Sequence, residues 1–465
     1  MSLVVMSQQI SSPLETTSLS SEIIAARIER IPISSWHSKA RSLLGIATFF
    51  DAFDTLAIAQ VLPVLATSWS LTPLQIGLLI STGYLGQLLG ALGFGWLAGR
   101  IGRVKSLLIA ITIFTLMSVL CGMSHNYTAL VWSRFFQGVG LGGEVPVAAV
   151  YMSEVTAAKR RGRFLLLYEL LFSIGLLFSG LIGIVVVPNL GWQWMFFAGA
   201  APAILLPILP VFFPESPRWL ASCDRVEEAA KALTRIEDAV ERATKNPLPA
   251  FEIAPSPEKI VRPSWRDYFA PPYGTRTLVL WSMWFGAYLV YYGLGTWMPT
   301  LYTTMFHLPV QQALHYALFT NGSAIVSSLF CILAIDSLGR RRTFLISFIG
   351  CALTFTYLYF SNLQHPGPLA AAAGLCCFFA SMTTFSVYVY TPECYPTRAR
   401  GQGVGMAAAW SRIASIIGPS FIGLVVKTGL GNIFLAFGVV AAIVAVLIYV
   451  LAPETSGKSL EELSP

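Results

Sequence analysis

Charge is scarce in this chain. Of its 465 residues only 11% are Asp, Glu, Lys or Arg, where a soluble protein of ordinary composition carries about 25%; 55% are hydrophobic and the mean hydropathy is +0.67. That balance excludes a soluble enzyme and a nucleic-acid binder. A Walker-type loop, glycine followed after four residues by Gly-Lys-Ser/Thr, is missing, which argues against a built-in ATPase. The N-terminus lacks a basic stretch leading into an apolar one, so the first 40 residues read as a cytoplasmic tail rather than a cleaved signal. Seven cysteines, Cys121, Cys223, Cys331, Cys351, Cys376, Cys377 and Cys394, show neither metal-ligand spacing nor a paired framework and read as small apolar fillers. Nothing in the sequence asks for a metal or a cofactor.

What the chain has in abundance is apolar length. Runs of roughly 20 residues, enough to cross ~30 Å of hydrocarbon as helix, start near Ser42, Leu74, Ser106, Tyr127, Phe164, Trp192, Thr275, Gln311, Thr343, Pro368, Gln402 and Leu430. The expected fold is an all-α membrane protein of twelve transmembrane helices in two six-helix bundles. Basic residues collect on one side: Arg27, Arg30, Lys39 and Arg41, then Arg100, Arg103 and Lys105, Lys159 to Arg163, Arg340 to Arg342, and Arg398 with Arg400; Lys427 alone lies in the opposite loops. By the positive-inside rule both termini and the basic loops face the cytoplasm of a multi-pass plasma (inner) membrane protein. The chain then divides into a tail (1–41), a first bundle (42–213), a cytoplasmic linker (214–274), a second bundle (275–452) and a short C-terminal tail (453–465). In the N-terminal tail, Ile23, Ile24, Ile28 and Ile31 oppose Arg27, Glu29 and Arg30, an amphipathic stretch that either lies along the inner leaflet or leads into the first span as a solvated helix.

An internal repeat supports the division independently of hydropathy. Gly99, Gly102, Arg103 and Lys105 align with Asp336, Gly339, Arg340 and Arg342; Tyr151, Glu154, Arg161 and Gly162 with Tyr390, Glu393, Arg400 and Gly401; Pro214, Glu215 and Ser216 with Pro453, Glu454 and Thr455. The offsets, 237, 239 and 239, are half the chain. Such a parallel duplication makes the two bundles pseudo-symmetric about an axis along the membrane normal and places substrate near the midplane between them.

The same residues resemble the major facilitator superfamily over nearly the whole length. Gly95-Trp96-Leu97-Ala98-Gly99-Arg100-Ile101-Gly102-Arg103 resembles its loop motif between spans two and three, with Gly99 where that family usually has an aspartate; the second copy keeps the acid as Asp336. Arg134-Phe-Phe-Gln-Gly138-Val-Gly140-Leu-Gly142 with Pro146, Tyr151 and Glu154, and Pro214-Glu215-Ser216-Pro217-Arg218, resemble sugar-porter signatures. Asp51-Ala52-Phe53-Asp54 is similar to the two-aspartate motif of aromatic-acid:proton symporters, and Gly142-Gly143-Glu144-Val145-Pro146-Val147 to bacterial nicotinate and metabolite:proton permeases. The resemblance implies a secondary transporter, not an enzyme, working by alternating access. It is expected to be monomeric, with a small organic anion such as an aromatic or pyridine carboxylate and protons as its partners. A sugar or polyol porter and a transport-inactive nutrient sensor are the alternatives.

Position along the spans singles out Asp51, Asp54, Arg134, Glu144, Glu169 and Arg412, each costing roughly 2.5 to 3.5 kcal/mol at a helix centre unless it meets a partner or a wet cavity. At 1.5 Å per residue Asp54 lies ~18 Å and Arg134 about 10 Å into their spans, so a pair is possible: a proton-coupling pair by resemblance to sugar porters, or a static bridge. Asp51, three residues before Asp54, is expected on the same helix face, where two ionised carboxylates repel; it either shares the proton or simply accepts a hydrogen bond. Arg412, with Trp410 beside it, offers a planar fork for a carboxylate or a bridge to an acid on another span. Tyr288, Tyr292, Gln87 and Asn321 are further substrate-binding candidates, whereas Trp297 and Tyr302 fit an interfacial aromatic belt better. Arg100, Arg103, Glu154, Arg161, Asp336, Arg340, Glu393 and Arg400 are candidates for a cytoplasmic gate, and Glu144 and Glu169 are secondary. Asn126-Tyr127-Thr128 matches a glycosylation acceptor in a loop too short to serve as one.

Overall fold

The computed structural model describes residues 23–251, 265–271, 273–361, 365–395 and 397–456; the side chains of 158–167, 169, 265, 267, 332, 336 and 397–401 fall outside that description. Among the described residues the secondary structure is helical. A short helix α1 (23–29) precedes α2 (Ser35–Ser68), α3 (Pro73–Ile101), α4 (Arg103–Gly122), α5 (Tyr127–Val155), α6 (Ala158–Leu190) and α7 (Gln193–Phe212), the last interrupted by a 3-10 turn at Ala201–Ile204. Two linker helices follow, α8 (Pro217–Ser222) and α9 (Val226–Thr244). The second set is α10 (Tyr273–Met305), α11 (Val310–Leu338), α12 (Arg340–Phe360), α13 (Pro366–Glu393), α14 (Thr397–Val425) and α15 (Leu430–Leu451). Ten of the twelve long segments are apolar enough over 18 residues to count as membrane spans among the described residues; α5 and α11 complete the twelve.

Local chemistry sets the helix boundaries. Thr72 caps α3 by accepting from the Gln75 amide while Gln75 Oε1 accepts from the Thr72 amide, with Pro73 in the first turn where its missing N–H is harmless. Asn126, the first residue of the glycosylation-like triplet, instead caps α5 by accepting from Ala129 N at 2.8 Å. Single glycines at positive φ, Gly102 (106°) and Gly339 (84°), turn α3 into α4 and α11 into α12. A Cβ at Gly339 would lie 2.8 Å from Glu454 Oε2, so these turns need glycine for space as well as for conformation.

Loops with most of the basic residues mark one end of the molecule, called here the basic end. The buried apolar side chains form two clusters. One joins Val61, Leu65, Ile76 and Ile80 of the first bundle to Tyr292, Trp297 and Ile422 of the second on the side away from the basic end, and runs on through the second bundle to Tyr390 and Tyr395 at the basic end. The other, at the basic end, is built from the first bundle, the tail and the linker alone, with Ala47, Phe94, Leu107, Tyr151 and Leu220 among its members. The two bundles therefore share a core at one end and not at the other.

Two expectations are corrected. Tail helix α1 neither lies on the leaflet nor stands in solvent: Ile24, Ile28 and Ile31 are buried with Ala229, Leu233, Ile236 and Val240 of α9. Its charged side is satisfied there too, since Glu237 accepts from Arg27 Nη2 at 2.5 Å and Arg30 Nη2 at 2.8 Å. Trp297 and Tyr302 are not belt residues; both are buried, with Trp297 Nε1 donating to Pro419 O at 3.1 Å and Tyr302 packed on Tyr316. They belong to the shared core because α10 lies at the bundle interface rather than at its lipid rim.

Candidate functional site

The interface is closest where α3 meets α14. A Cβ on Gly77 would lie 2.6 Å from Pro419 O, and one on Gly423 2.5 Å from Pro73 O, the close backbone approach that small residues permit between membrane helices. Ser81 Oγ donates to Ile416 O at 2.6 Å and Ser420 Oγ to Ser81 Oγ at 2.7 Å. Farther along the same helix faces, toward the basic end, Gly95 and Gly405, each 18 residues from Gly77 and Gly423, have open space where a Cβ would go. The helices thus touch at the end remote from the basic loops and separate toward them.

At the depth where they separate, a polar string crosses the interface. Arg412 Nη1 donates to Gln87 Oε1, Gln87 Nε2 donates to Thr55 Oγ1 at 3.0 Å, and Thr55 Oγ1 donates to Asp51 Oδ1 at 3.4 Å. Aromatic rings from both bundles surround it. Tyr84 packs on Tyr292 with centroids 5.1 Å apart, Tyr292 on Tyr288 at 5.8 Å, and Trp410 on Trp281 at 5.3 Å; the hydroxyls of Tyr288 and Tyr388 are 3.3 Å apart. Arg412 lies near enough for its charge to act on Tyr84, Tyr288 and Tyr292. Asn321 lies one helix away, its Nδ2 buried without a hydrogen-bond partner and its Oδ1 3.6 Å from where a Gly295 Cβ would be. A guanidinium held by a neutral amide, ringed by tyrosines, can take a carboxylate attached to a flat ring.

Asp54 faces elsewhere. Its Oδ2 accepts from Ser118 Oγ at 2.6 Å and Gln137 Nε2 at 3.0 Å, inside the first bundle among α2, α4, α5 and α7, while its Oδ1 is buried with no partner. Arg134 does not pair with this carboxylate: its Nη1 donates to Gln137 Oε1 at 2.6 Å and to the Asp54 backbone carbonyl at 3.2 Å. Gln137 stands between them. The expectation of one helix face for the two aspartates is likewise corrected: a three-residue step is offset by about 60° on a helix, so Asp51 turns to the interface through Thr55 and Asp54 to the bundle interior.

The basic-end charges form matching clusters within each bundle. Arg103 is bidentate to Glu154 (Nε to Oε2 3.0 Å, Nη2 to Oε1 2.7 Å), and Glu215 Oε1 accepts from the backbone amides of Arg103 at 2.7 Å and Val104 at 3.1 Å. In the second copy Arg340 Nη2 lies 3.5 Å from Glu393 Oε1, and Glu454 accepts from the amides of Arg340 at 2.9 Å and Arg341 at 3.1 Å. Tyr151 OH donates to Pro214 O at 2.9 Å, and Tyr390 OH to Pro453 O at 2.8 Å. Carboxylates at the N-termini of α4 and α12 are stabilised by the helix dipole as well as by these amides. Arg100 instead stacks its guanidinium over Trp96 at 4.2 Å. Glu144 is buried beside Thr48 at 3.1 Å, which also bonds the Tyr168 hydroxyl. The side chains of Arg161, Glu169, Asp336 and Arg400 lie outside the described residues.

Sequence reasoning missed Thr55, Gln137, Ser118, Tyr84, Ser81 and Ser420. A readable signal existed for two: Thr55 is one turn from Asp51 and Gln137 one turn from Arg134, polar neighbours on the same helical stripe in otherwise apolar spans.

Two pseudo-symmetric helical bundles that meet along an interface, closed at one end and carrying a charged, aromatic site at mid-depth, define a membrane carrier of the two-bundle alternating type. The chain belongs to the sugar (and other) transporter family of the major facilitator superfamily: that family's model matches residues 38–465. Among curated proteins it is similar to the niacin transporter NiaP of Acinetobacter baylyi, 33% identical over 442 residues covering 95% of this chain and 99% of that one. It is also similar to the synaptic vesicle 2-related protein of Xenopus laevis, 28% identical over 94% of this chain and 82% of that one. Among solved structures, the inward-open xylose transporter XylE of E. coli superposes with a TM-score of 0.69 at 20% identity, over 92% of this chain and 99% of that one. The chain is therefore an integral, multi-pass membrane transporter, and not an enzyme.

Proposed function

We propose that this transporter carries a small aromatic or pyridine carboxylate, nicotinate being the first candidate, together with protons. The observation that carries the reading is Arg412 at the bundle interface, donating to the uncharged Gln87 amide and flanked by Tyr84, Tyr288 and Tyr292. A substrate carboxylate outcompetes an amide oxygen for a guanidinium because it brings a full opposite charge and two oxygens that match the planar fork bidentately. The NiaP relative supports the choice of ring acid. Asp54 is the proton carrier, with Arg134 as its counter-charge; Asp51, joined to Arg412 through Thr55 and Gln87, links proton and substrate sites. The basic end faces the cytoplasm, so the arrangement described here is open inward, and the bundles 42–213 and 275–452 rock as units about the Gln87–Arg412 level. Closing the basic end brings the Arg103–Glu154 and Arg340–Glu393 clusters together as a gate. The carrier works as a monomer.

The test is uptake of labelled nicotinate, benzoate and xylose into liposomes holding the purified protein, with and without an outside-acid gradient, for wild type, Asp54→Asn and Arg412→Ala. Gradient-driven accumulation of the acids is expected, lost in Asp54→Asn and shifted to higher substrate concentration in Arg412→Ala. Xylose accumulation with the acids inert overturns the assignment.

A further inference from the structure

In the Asp54 cluster a neutral side chain occupies the place where a direct ion pair would form. Gln137 uses both ends of its carboxamide, Nε2 donating to Asp54 Oδ2 at 3.0 Å and Oε1 accepting from Arg134 Nη1 at 2.6 Å, and its Nε2 also lies 2.6 Å from Ser118 Oγ. Cys121 Sγ reaches the same Oε1 at 3.6 Å. Arg134 is 3% exposed, Gln137 and Asp54 0%, and the guanidinium otherwise rests on the Asp54 carbonyl and the Phe196 ring, 5.9 Å away. The carboxyl is boxed in from the other side: a Cβ on Gly199 would overlap Asp54 Oδ1. Oδ2 thus lies beside Gln137 Nε2 and Ser118 Oγ, whose single hydrogen is shared between Oδ2 and Phe114 O at 2.8 Å, and Oδ1 has no partner.

The groups facing this carboxyl can be named element by element. Asp51 lies one turn back on α2 and turns toward Thr55; Tyr84 comes from α3, next to Gly83, whose Cβ position is 3.0 Å from Arg134 Nη2; Ser118 and Cys121 come from α4, Arg134 and Gln137 from α5, and Gly199 from α7. Arg134 is the cation in that set, and it is turned away from the carboxylate by Gln137.

We infer that Gln137 is a positioning residue: while it stands between Asp54 and Arg134 the carboxyl keeps its proton, and the proton leaves for water when the guanidinium replaces the Gln137 amide at Oδ2. The inference rests on the proton-coupled reading above. It makes a prediction that a merely stabilising hydrogen bond does not. Removing an ordinary donor from a carboxylate weakens the anion and moves proton release to higher pH; removing a spacer lets the cation close in and moves it to lower pH.

The experiment compares wild type, Gln137→Leu, the near-isosteric Gln137→Met and Ser118→Ala in liposomes. The readouts are the pH profile of gradient-driven nicotinate uptake, counterflow exchange of nicotinate at equal pH, and the infrared carboxylic C=O band that Asp54→Asn abolishes. Both Gln137 variants are expected to move the midpoint of profile and band to lower pH by about 1 to 3 units, the range for an acid gaining an arginine neighbour. Exchange at equal pH reports whether a variant is folded and still binds nicotinate. Ser118→Ala is expected to move both midpoints the opposite way. If the Gln137 variants shift upward with Ser118→Ala, or do not shift, Gln137 is one donor among others and the inference is wrong. If Gln137→Leu shows no exchange because it is misfolded, Gln137→Met and its infrared band decide. A wild type with pH-independent uptake and no titrating band overturns the coupled reading itself, a result distinct from unshifted variants of a coupled wild type.

Discussion

Gly199 lacks a side chain at the one point of α7 where Asp54 needs the room. Gly199→Ala puts a methyl group against Oδ1 and must displace the carboxyl or the helix, the kind of overpacking that costs about 1 to 3 kcal/mol. A lower melting temperature in detergent is expected together with weakened gradient-driven uptake; an unchanged melting curve would show that α7 yields freely there. At the interface, Arg412→Lys retains charge but loses the planar fork, and the concentration for half-maximal nicotinate uptake is expected to rise about ten-fold, about 1.4 kcal/mol; an unchanged value would mean that Arg412 acts as a point charge. Charge made Asp51, Asp54, Arg134 and Arg412 legible in the sequence, because a membrane span tolerates few ions without reason. Ser118, Thr55 and Gln137 were not legible in the same way: neutral polar residues cost little in a span, and only the packing of α2 against α3, α4 and α5 shows which of them are joined to a charge.

Tail and linker act as one element. Burial pushes the Glu237 carboxyl up, but hydrogen bonds and charges from Arg27 and Arg30 outweigh it and leave the group below the ordinary glutamate range. A depressed carboxyl contributes stability that is fully present above the unfolded value of about 4.3 and is lost as pH falls through the lower folded value. Docking of α1 on α9 should therefore hold at neutral pH and weaken in acid. The anisotropy of a fluorophore on Ala25→Cys, with the exposed Cys223 replaced by serine, should fall on acidification; Glu237→Gln should show the low value at neutral pH. Anisotropy that ignores both changes would mean the isoleucines alone hold the tail. The amphipathic pattern of residues 23–31 was plain in the sequence, but its partner was not: an apolar stripe says that something covers it, and here the complementary stripe of α9 lies some 200 residues away. The same limit explains Trp297 and Tyr302, whose place near a span end matches a lipid-facing belt in sequence but which α14 and α11, respectively, cover in the fold.

Over the whole molecule, hydropathy, basic loops and the half-chain repeat gave twelve spans and two bundles. They did not give the asymmetry of the interface, because a chain that alternates must hold complementary surfaces for both of its closed ends. Cross-linking reads that asymmetry out: Ser81→Cys with Ser420→Cys, whose hydroxyls lie 2.7 Å apart, should form a disulfide on oxidation. Flux is then expected to stop, nicotinate binding from the basic end to persist, and reduction to restore transport; undiminished flux in the cross-linked protein would show that this end does not open.

Each bundle is also finished by its own last residues. Glu215 returns to the amides that begin α4, and Glu454 to those that begin α12, so neither half borrows an anchor from the other. The covalent link between them is then dispensable. A chain cut between 250 and 265, its two fragments made together in one cell, is expected to reassemble and accumulate nicotinate, as a machine of two self-contained parts would.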